Sequence, residues 1–289
     1  MEIISSYRDR DDLRASFNDL AVRTFGLSFE DWYQNGFWKE NYNPYSMVED
    51  GKVVSNVSVN QCDMNFQGET VRLIQLGTIM TDPDHRGKGY ARKLMERVIS
   101  DYFGRVDGIY LFANDSVLGF YPKFGFRTAK EYQYAKEVTG AASAGTVPKA
   151  EPVPMSEPQD WEKMKRILAE KPQNSAMYMV GNTGLYMFYL SQFMQENVYY
   201  IPGCDSYAIA EPEGETLVLH TIIGEGSVDD VVASFGEGIR KVILCFTPRD
   251  PSSFEKEELH EEDTTLFVQG RFFDAHPDAA FMFQSITHA

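Results

Sequence analysis

Cysteine is scarce in this chain: Cys62, Cys204 and Cys245 are far apart and odd in number, which suggests neither a disulfide framework nor a zinc cluster. No metal is expected. No run of about twenty apolar residues occurs, so no membrane span is expected. Met1 to Arg10 carries charges of both signs and no apolar stretch, so it does not read as a secretory signal, and cytoplasmic residence is the default. Basic residues are also in deficit. Lys and Arg number 27 against 43 Asp and Glu, a net charge of -16, which argues against a nucleic-acid partner, whose phosphates reward clustered cations. The imbalance is local: residues 1 to 138 hold 17 basic and 20 acidic residues, and residues 139 to 289 hold 10 and 23. An acidic second half attracts cations such as amines, or keeps a soluble surface dispersed.

What is present is an ordinary globular composition, with 43% hydrophobic, 13% aromatic and 24% charged residues. A chain of 289 residues is long enough for two compact domains. The composition turns to Ala, Gly, Ser, Pro and Glu between Thr139 and Asp160, with Pro148, Pro152, Pro154 and Pro158 closely spaced, which suits an extended connector. The expected division is therefore 1–138, a linker over 139–160, and an acidic domain over 161–289.

In the first part, Asp11 to Phe25 and Phe29 to Trp38 have helical spacing. Tyr45 to Glu49, Lys52 to Phe66 and Thr70 to Thr81, joined by turns at Asp50-Gly51 and Gln67-Gly68-Glu69, form an antiparallel meander. Tyr90 to Tyr102 is an amphipathic helix and Gly108 to Ala113 a short apolar strand; Leu118 to Phe120 suits a brief helix, and Phe126 opens another strand. This order describes a mixed α/β sheet with one parallel crossover. The second part repeats some of it: helices at Trp161 to Ala169 and Leu185 to Glu196, and strands at Ser206 to Glu211 and Thr216 to Ile223. A helix capped by Ser227 and a strand at Lys241 to Thr247 follow, with β segments at Leu266 to Phe273 and Ala280 to Ile286. A duplicated fold is expected, with no shared residue motif.

The informative stretch is Leu73 to Ala91, an apolar strand, then Thr81-Asp82-Pro83-Asp84-His85, then Arg86-Gly87-Lys88-Gly89-Tyr90-Ala91 opening a helix. A strand feeding a helix N-terminus through a glycine turn leaves backbone amides without intrahelical partners, a natural anion site. Gly87 and Gly89 allow close approach and positive φ, while Arg86 and Lys88 neutralise a pyrophosphate.

This run resembles the signature of the Gcn5-related N-acetyltransferases (GNAT): an Arg or Gln, two residues, Gly, one residue, then Gly or Ala, filled here by Arg86, Gly89 and Ala91, with Pro83 three residues upstream. Downstream, Leu111-Phe112-Ala113-Asn114 and Gly119-Phe120-Tyr121-Pro122-Lys123-Phe124-Gly125-Phe126 resemble the family's strand-Asn and Phe-Tyr-x-x-x-Gly-Phe elements. The resemblance covers residues 1 to 138. It implies the GNAT fold with a second GNAT-like half, acetyl-CoA as co-substrate, and direct attack of an amine on the thioester. By the same resemblance Arg86 to Ala91 hold the pyrophosphate, Ile79, Met80 and Thr81 line the pantetheine arm and acetyl carbonyl, and Tyr121 is the general acid. Asn114 bonds the pantetheine or is a turn residue.

Many relatives place a Glu on the strand before the loop, whereas Leu73-Ile74-Gln75-Leu76-Gly77 offers no carboxylate. Asp63 and Glu69 are substitutes. The extra C-terminal part is similar to that of the enhanced-intracellular-survival acetyltransferases, which use a terminal carboxylate as base, and this resemblance assigns Ala289 that role. Trp32, Tyr33, Phe37 and Trp38 suit an acceptor wall or plain helix packing. In the second half the matching turn reads Gly224-Glu225-Gly226-Ser227, and an acid there repels pyrophosphate. That half is expected to close the acceptor cleft or to form an oligomer interface such as a homodimer's. The expected partner is an amine on a small molecule, antibiotic or peptide. The alternative is a non-catalytic CoA-binding sensor on the same fold.

Overall fold

The computed structural model describes residues 1–138 and 147–288, so part of the expected linker, and Ala289, lie outside the described residues. The first part runs β1 (Glu2–Ser5), α1 (Asp11–Phe25), α2 (Glu30–Gln34), β2 (Tyr42–Glu49), β3 (Lys52–Phe66), β4 (Glu69–Thr81), α3 (Tyr90–Tyr102), β5 (Gly108–Ala113), β6 (Arg127–Thr128) and β7 (Tyr132–Glu137). The second continues with β8 (Glu151–Pro152), α4 (Pro158–Glu170), β9 (Met177–Val180), α5 (Thr183–Gln192), β10 (Val198–Ile201), β11 (Ser206–Glu213) and β12 (Thr216–Ile223). It ends with α6 (Val228–Phe235), β13 (Lys241–Leu244), β14 (Glu255–Glu258), β15 (Thr265–Gln269) and α7 (Arg271–Ala275). The two hairpin turns expected from sequence form as such: φ is positive at both Asp50 and Gly51 and at both Gln67 and Gly68, the geometry whose twist matches that of the flanking strands.

The strands form two mixed sheets with the same plan. One is ordered β1-β2-β3-β4-β5-β15-β6, with β9 added on β3; the other, from its opposite end, is β8-β10-β11-β12-β13-β7-β14. Each has a parallel pair, β4 with β5 across α3 and β12 with β13 across α6. Each also borrows a strand. β15 comes from the second half and pairs Thr265–Gln269 with Ile109–Ala113, whereas β7 comes from the first and pairs Tyr134–Glu137 with Lys241–Leu244. Period-two patterning marks a strand but not its partner, which is why this reciprocal exchange could not be read from sequence.

α3 covers one face of the first sheet through Leu94, Met95 and Val98, all fully buried. The opposite face meets α1, α2, α5 and the segment 280–288, which form a second core. α5 sits close on the loop after α2: a Cβ at Gly184 would come within 2.3 Å of the Phe37 carbonyl oxygen, and Trp32 Nε1 donates to the Gly184 carbonyl at 2.7 Å.

Some expected elements differ. Residues 280–286 are not a strand but irregular chain leading to a 3-10 turn at Ser285–Thr287. Their backbone groups bond to side chains instead of a ladder: Met282 N donates to Thr247 Oγ1 and Phe283 N to Glu131 Oε1, both at 2.8 Å, which satisfies the buried polar groups without a neighbouring strand. β15 stops at Gln269 because Gly270 takes φ of 110° and starts α7. The helix expected at Leu118–Phe120 is replaced by 3-10 turns at Asp115–Val117 and Tyr121–Phe124, where Pro122 and Gly125 leave too short a run for an α-helix.

Because β15 fills a gap between β5 and β6, residues 1–138 expressed alone should aggregate. Co-expression with residues 139–289 should give a soluble, co-purifying pair; a soluble, cooperatively melting 1–138 fragment would contradict the exchange.

Candidate active site

β4 is interrupted where the site begins. Asn56 pairs with Met80 and Ser58 with Gly77, so Thr78 and Ile79 together oppose Val57, a bulge that bends the strand. Thr78 has φ of 46°, a strained value for a β-branched residue. It is held there by Tyr42, whose hydroxyl lies 2.8 Å from Thr78 Oγ1, and by Asn56 Nδ2, which donates to the Thr78 carbonyl at 2.8 Å. β4 and β5 pair only over Leu73–Gln75 and Gly108–Tyr110. Beyond that the strands part, and a cavity of about 280 Å³ opens beside Leu76 to Ile79, Phe112, Asn114 and Tyr121.

At the end of β4 the chain turns through Pro83–His85 into the glycine run. Asp82 caps the turn by accepting from Asp84 N at 3.0 Å. It also accepts from Arg23 Nη1 at 2.8 Å, and that guanidinium first, with the Asp84 amide and His85, holds its carboxyl down at about 2. Gly87 and Gly89 have φ of 75° and 79°. A Cβ at either would meet nothing within 4 Å, so glycine is required here by backbone angle and not by crowding. Gly89 occupies the cap position of α3, which has no side-chain cap and no acid in its first turn. The first amides of α3 are thus left for an external anion. Arg86 and Lys88 are exposed beside them, with Arg86 Nε 3.4 Å from the Thr81 carbonyl. The fit to a diphosphate lies in this combination of open amides and two cations.

The equivalent turn of the second sheet is closed. Ser227 Oγ accepts from Asp230 N while the Asp230 carboxylate accepts from Ser227 N, so α6 caps itself with an acid. A Cβ at Gly226 would lie 2.4 Å from Cys204 Sγ, and Glu225 pairs with Arg249.

Of the residues singled out from sequence, Ile79, Asn114 and Tyr121 meet at the cavity. Tyr121 is 4% exposed, packs on Phe267 at 5.3 Å, and burial pushes its phenol up to about 12. Asn114 Nδ2 donates to Asp263 Oδ2 at 2.8 Å, a partner from the second half. Met80 and Thr81 are tied to β3 through Ser55, whose hydroxyl donates to the Met80 carbonyl and lies 2.8 Å from Thr81 Oγ1. Tyr90 is buried in the core under α3, so it offers its amide and not its ring; Ala91 follows in the same turn. Asp63 and Glu69 pair with Arg72 and Phe66 at the far end of the β3–β4 ladder and do not line the cavity. Of the four aromatics, Trp32 lines it; Phe37 packs on Trp161, Trp38 donates to the Tyr42 carbonyl, and Tyr33 lies over Arg14.

Sequence reasoning missed the rest of the wall: Phe29, Tyr42 and Phe112, and from the second half Phe188, Tyr189 and His288. His288 stacks on Phe112 at 3.8 Å, its carbonyl accepts the Tyr189 hydroxyl, and burial lowers its imidazole to about 4. Among the described residues its Nε2 has no partner, and no group of three or more His, Cys, Asp or Glu is placed to hold a metal. No helix among them is long and apolar enough to cross a membrane.

Two outcomes follow from the turn. The Asp82 interaction stabilises the fold above its ordinary pKa of 3.8 and is lost as pH falls through about 2; Arg23→Ala should move the carboxyl titration, followed by NMR, up toward 3.8, and an unmoved titration would contradict the pairing. Gly89→Ala should lower the unfolding free energy by about 1 kcal/mol through left-handed strain, measured by denaturant melts; no loss would contradict the assigned φ.

Residues 10–129 match the family model described as an acetyltransferase (GNAT) domain. Among solved structures, a probable N-acyltransferase from Enterococcus faecalis V583 superimposes with a TM-score of 0.63 at 15% identity, over 95% of this chain and 74% of its own. A GCN5-related N-acetyltransferase from Kribbella flavida gives 0.57 at 13%, over 93% and 71%, and Eis1 from Mycobacterium abscessus 0.55 at 14%, over 92% and 73%. No curated protein matches in sequence. The matched residues hold the bulged β4, the open end of α3 and the Tyr121 turn together, so the first half of this chain carries an acetyltransferase (GNAT) domain.

Proposed function

We propose that the chain transfers an acetyl group from acetyl-CoA to an amine by direct attack, with residues 1–138 holding the co-substrate and residues 161–289 closing the acceptor side. The observation that carries this reading is the uncapped N-terminus of α3, flanked by Arg86 and Lys88, on the chain that leaves β4 just after the residues lining the cavity with Tyr121. The diphosphate of the co-substrate meets the amides from Gly87 to Ala91 and the two cations. The pantetheine arm follows Ile79 to Thr81, with Asn114 beside it.

The amine nitrogen forms a bond to the thioester carbonyl carbon, and the oxyanion is met by the backbone amide at Met80, a contact of a kind worth about 3 kcal/mol for one good donor. The C–S bond then breaks, the sulfur takes the Tyr121 phenol proton, and the amine proton leaves by solvent and restores the phenol. Tyr121 at about 12 looks too weak an acid for a thiol of ordinary pKa. Burial acts on thiols as well, however: in this protein Cys245 is pushed up to about 12 by the same cause. Burial that disfavours the charged phenolate disfavours a thiolate leaving beside it in the same way, so the sulfur is a better proton acceptor there than in water.

Tyr121→Phe should lower kcat by about 10²-fold or more while calorimetry shows unchanged affinity for CoA. Arg86→Glu should do the reverse, abolishing the binding heat. Undiminished free-thiol release by Tyr121→Phe, or undiminished CoA affinity in Arg86→Glu, would overturn the assignments.

A further inference from the structure

The cavity beside Tyr121 has walls from both halves of the chain. Phe29, Trp32 and Tyr42 contribute from the first, and Phe188, Tyr189 and His288 from the second. Among the described residues no Asp, Glu, Lys or Arg lines it. Its titratable wall groups are uncharged at neutral pH: burial raises Tyr42 and Tyr121 to about 12, raises Tyr189 further, and lowers His288 to about 4. Among the described residues a second or third ammonium on a bound molecule would find no counter-charge in this wall, and an unpaired buried charge is costly.

The wall rings are also aligned. Phe188 stacks on Phe29 at 5.5 Å and 14°, and Phe29 on Tyr42 at 5.8 Å and 21°, so three rings stand in one nearly parallel series. His288 and Phe112 form a further parallel pair, at 23°. Parallel faces favour a flat occupant that extends the stack. The volume, about 280 Å³, compares with about 150 Å³ for an apolar cavity that accepts benzene. It therefore takes one ring with a short arm and the acetyl group.

We propose that the acceptor is a monoamine carried on an aromatic ring, stacked on Phe188 at the end of this series with its nitrogen turned toward Ile79 and Tyr121, and that polyamines are rejected. This rests on the transferase reading and narrows it. The acidic exterior of the second half, 10 basic against 23 acidic residues from 139 to 289, draws cations to the protein, but the cavity decides which are acetylated. One ammonium is tolerated against ring faces; several are not. Phe188 is the specificity-determining residue, supplied by α5 and half-buried.

The test is free-thiol release from acetyl-CoA with the full chain, using 2-phenylethylamine and spermidine, beside calorimetry with CoA. The expected kcat/KM for 2-phenylethylamine exceeds that for spermidine at least tenfold. Phe188→Ala should raise KM for 2-phenylethylamine at least tenfold with CoA affinity unchanged, and Phe188→Leu, which keeps apolar volume but no ring, should raise it less. Spermidine turned over as well as the aromatic amine, or a KM unmoved in both variants, would overturn this inference alone. No thiol release with either amine while CoA still binds would overturn this inference, and no binding heat with CoA would overturn the transferase reading with it.

Discussion

Three residue pairs join β4 to β5 and then the ladder stops; every functional feature of the molecule stands on that interruption. The bulge at Thr78 and Ile79 turns β4 away, and the strain at Thr78 is offset by hydrogen bonds from Tyr42 and Asn56. A parallel pair that stayed closed to Thr81 would leave neither a cavity for an acyl group nor room for an anion at the start of α3. The opening is kept by chain from elsewhere. β15 takes the free edge of β5, and Phe283 and His288 stack on Tyr110 and Phe112 of the same strand.

The two sheets share one plan and differ in what their first crossover helix offers. α3 begins at a glycine in left-handed conformation with no cap, while α6 begins with a reciprocal Ser227–Asp230 cap. The same local choice decides both stability and chemistry: capping removes amides from the solvent and from any ligand. The first helix forgoes its cap, and the reading of this end as the diphosphate site follows. The second is stabilised by its own cap, and its half supplies Phe188, Tyr189 and His288 to the cavity wall.

The glycine run, the Tyr121 turn and most of the first sheet were legible because they are local: hairpin turns, a period-two meander and a helix start are written in adjacent residues. The cavity wall was not, because Phe188 and His288 join Phe29 and Tyr42 there only through the packing of α5 and of residues 280–288 across more than a hundred positions of chain. Residues 280–286 have the pattern of a strand and are none for the same reason. Phe281, Met282 and Phe283 form an apolar run, and an apolar run says that a segment is buried, not that it has a neighbour to pair with. Asp63 and Glu69 looked eligible as bases because they lie on neighbouring strands, but the antiparallel register puts them at the other end of the ladder from the cavity.

The central claim is that the free amides at the start of α3 grip the diphosphate of coenzyme A. Amide hydrogen exchange, with and without saturating coenzyme A, measures this directly. The expected result is strong slowing from Gly87 to Ala91 with no change from Ser227 to Asp230. Unchanged exchange at α3, or equal slowing at both helix starts, would contradict it.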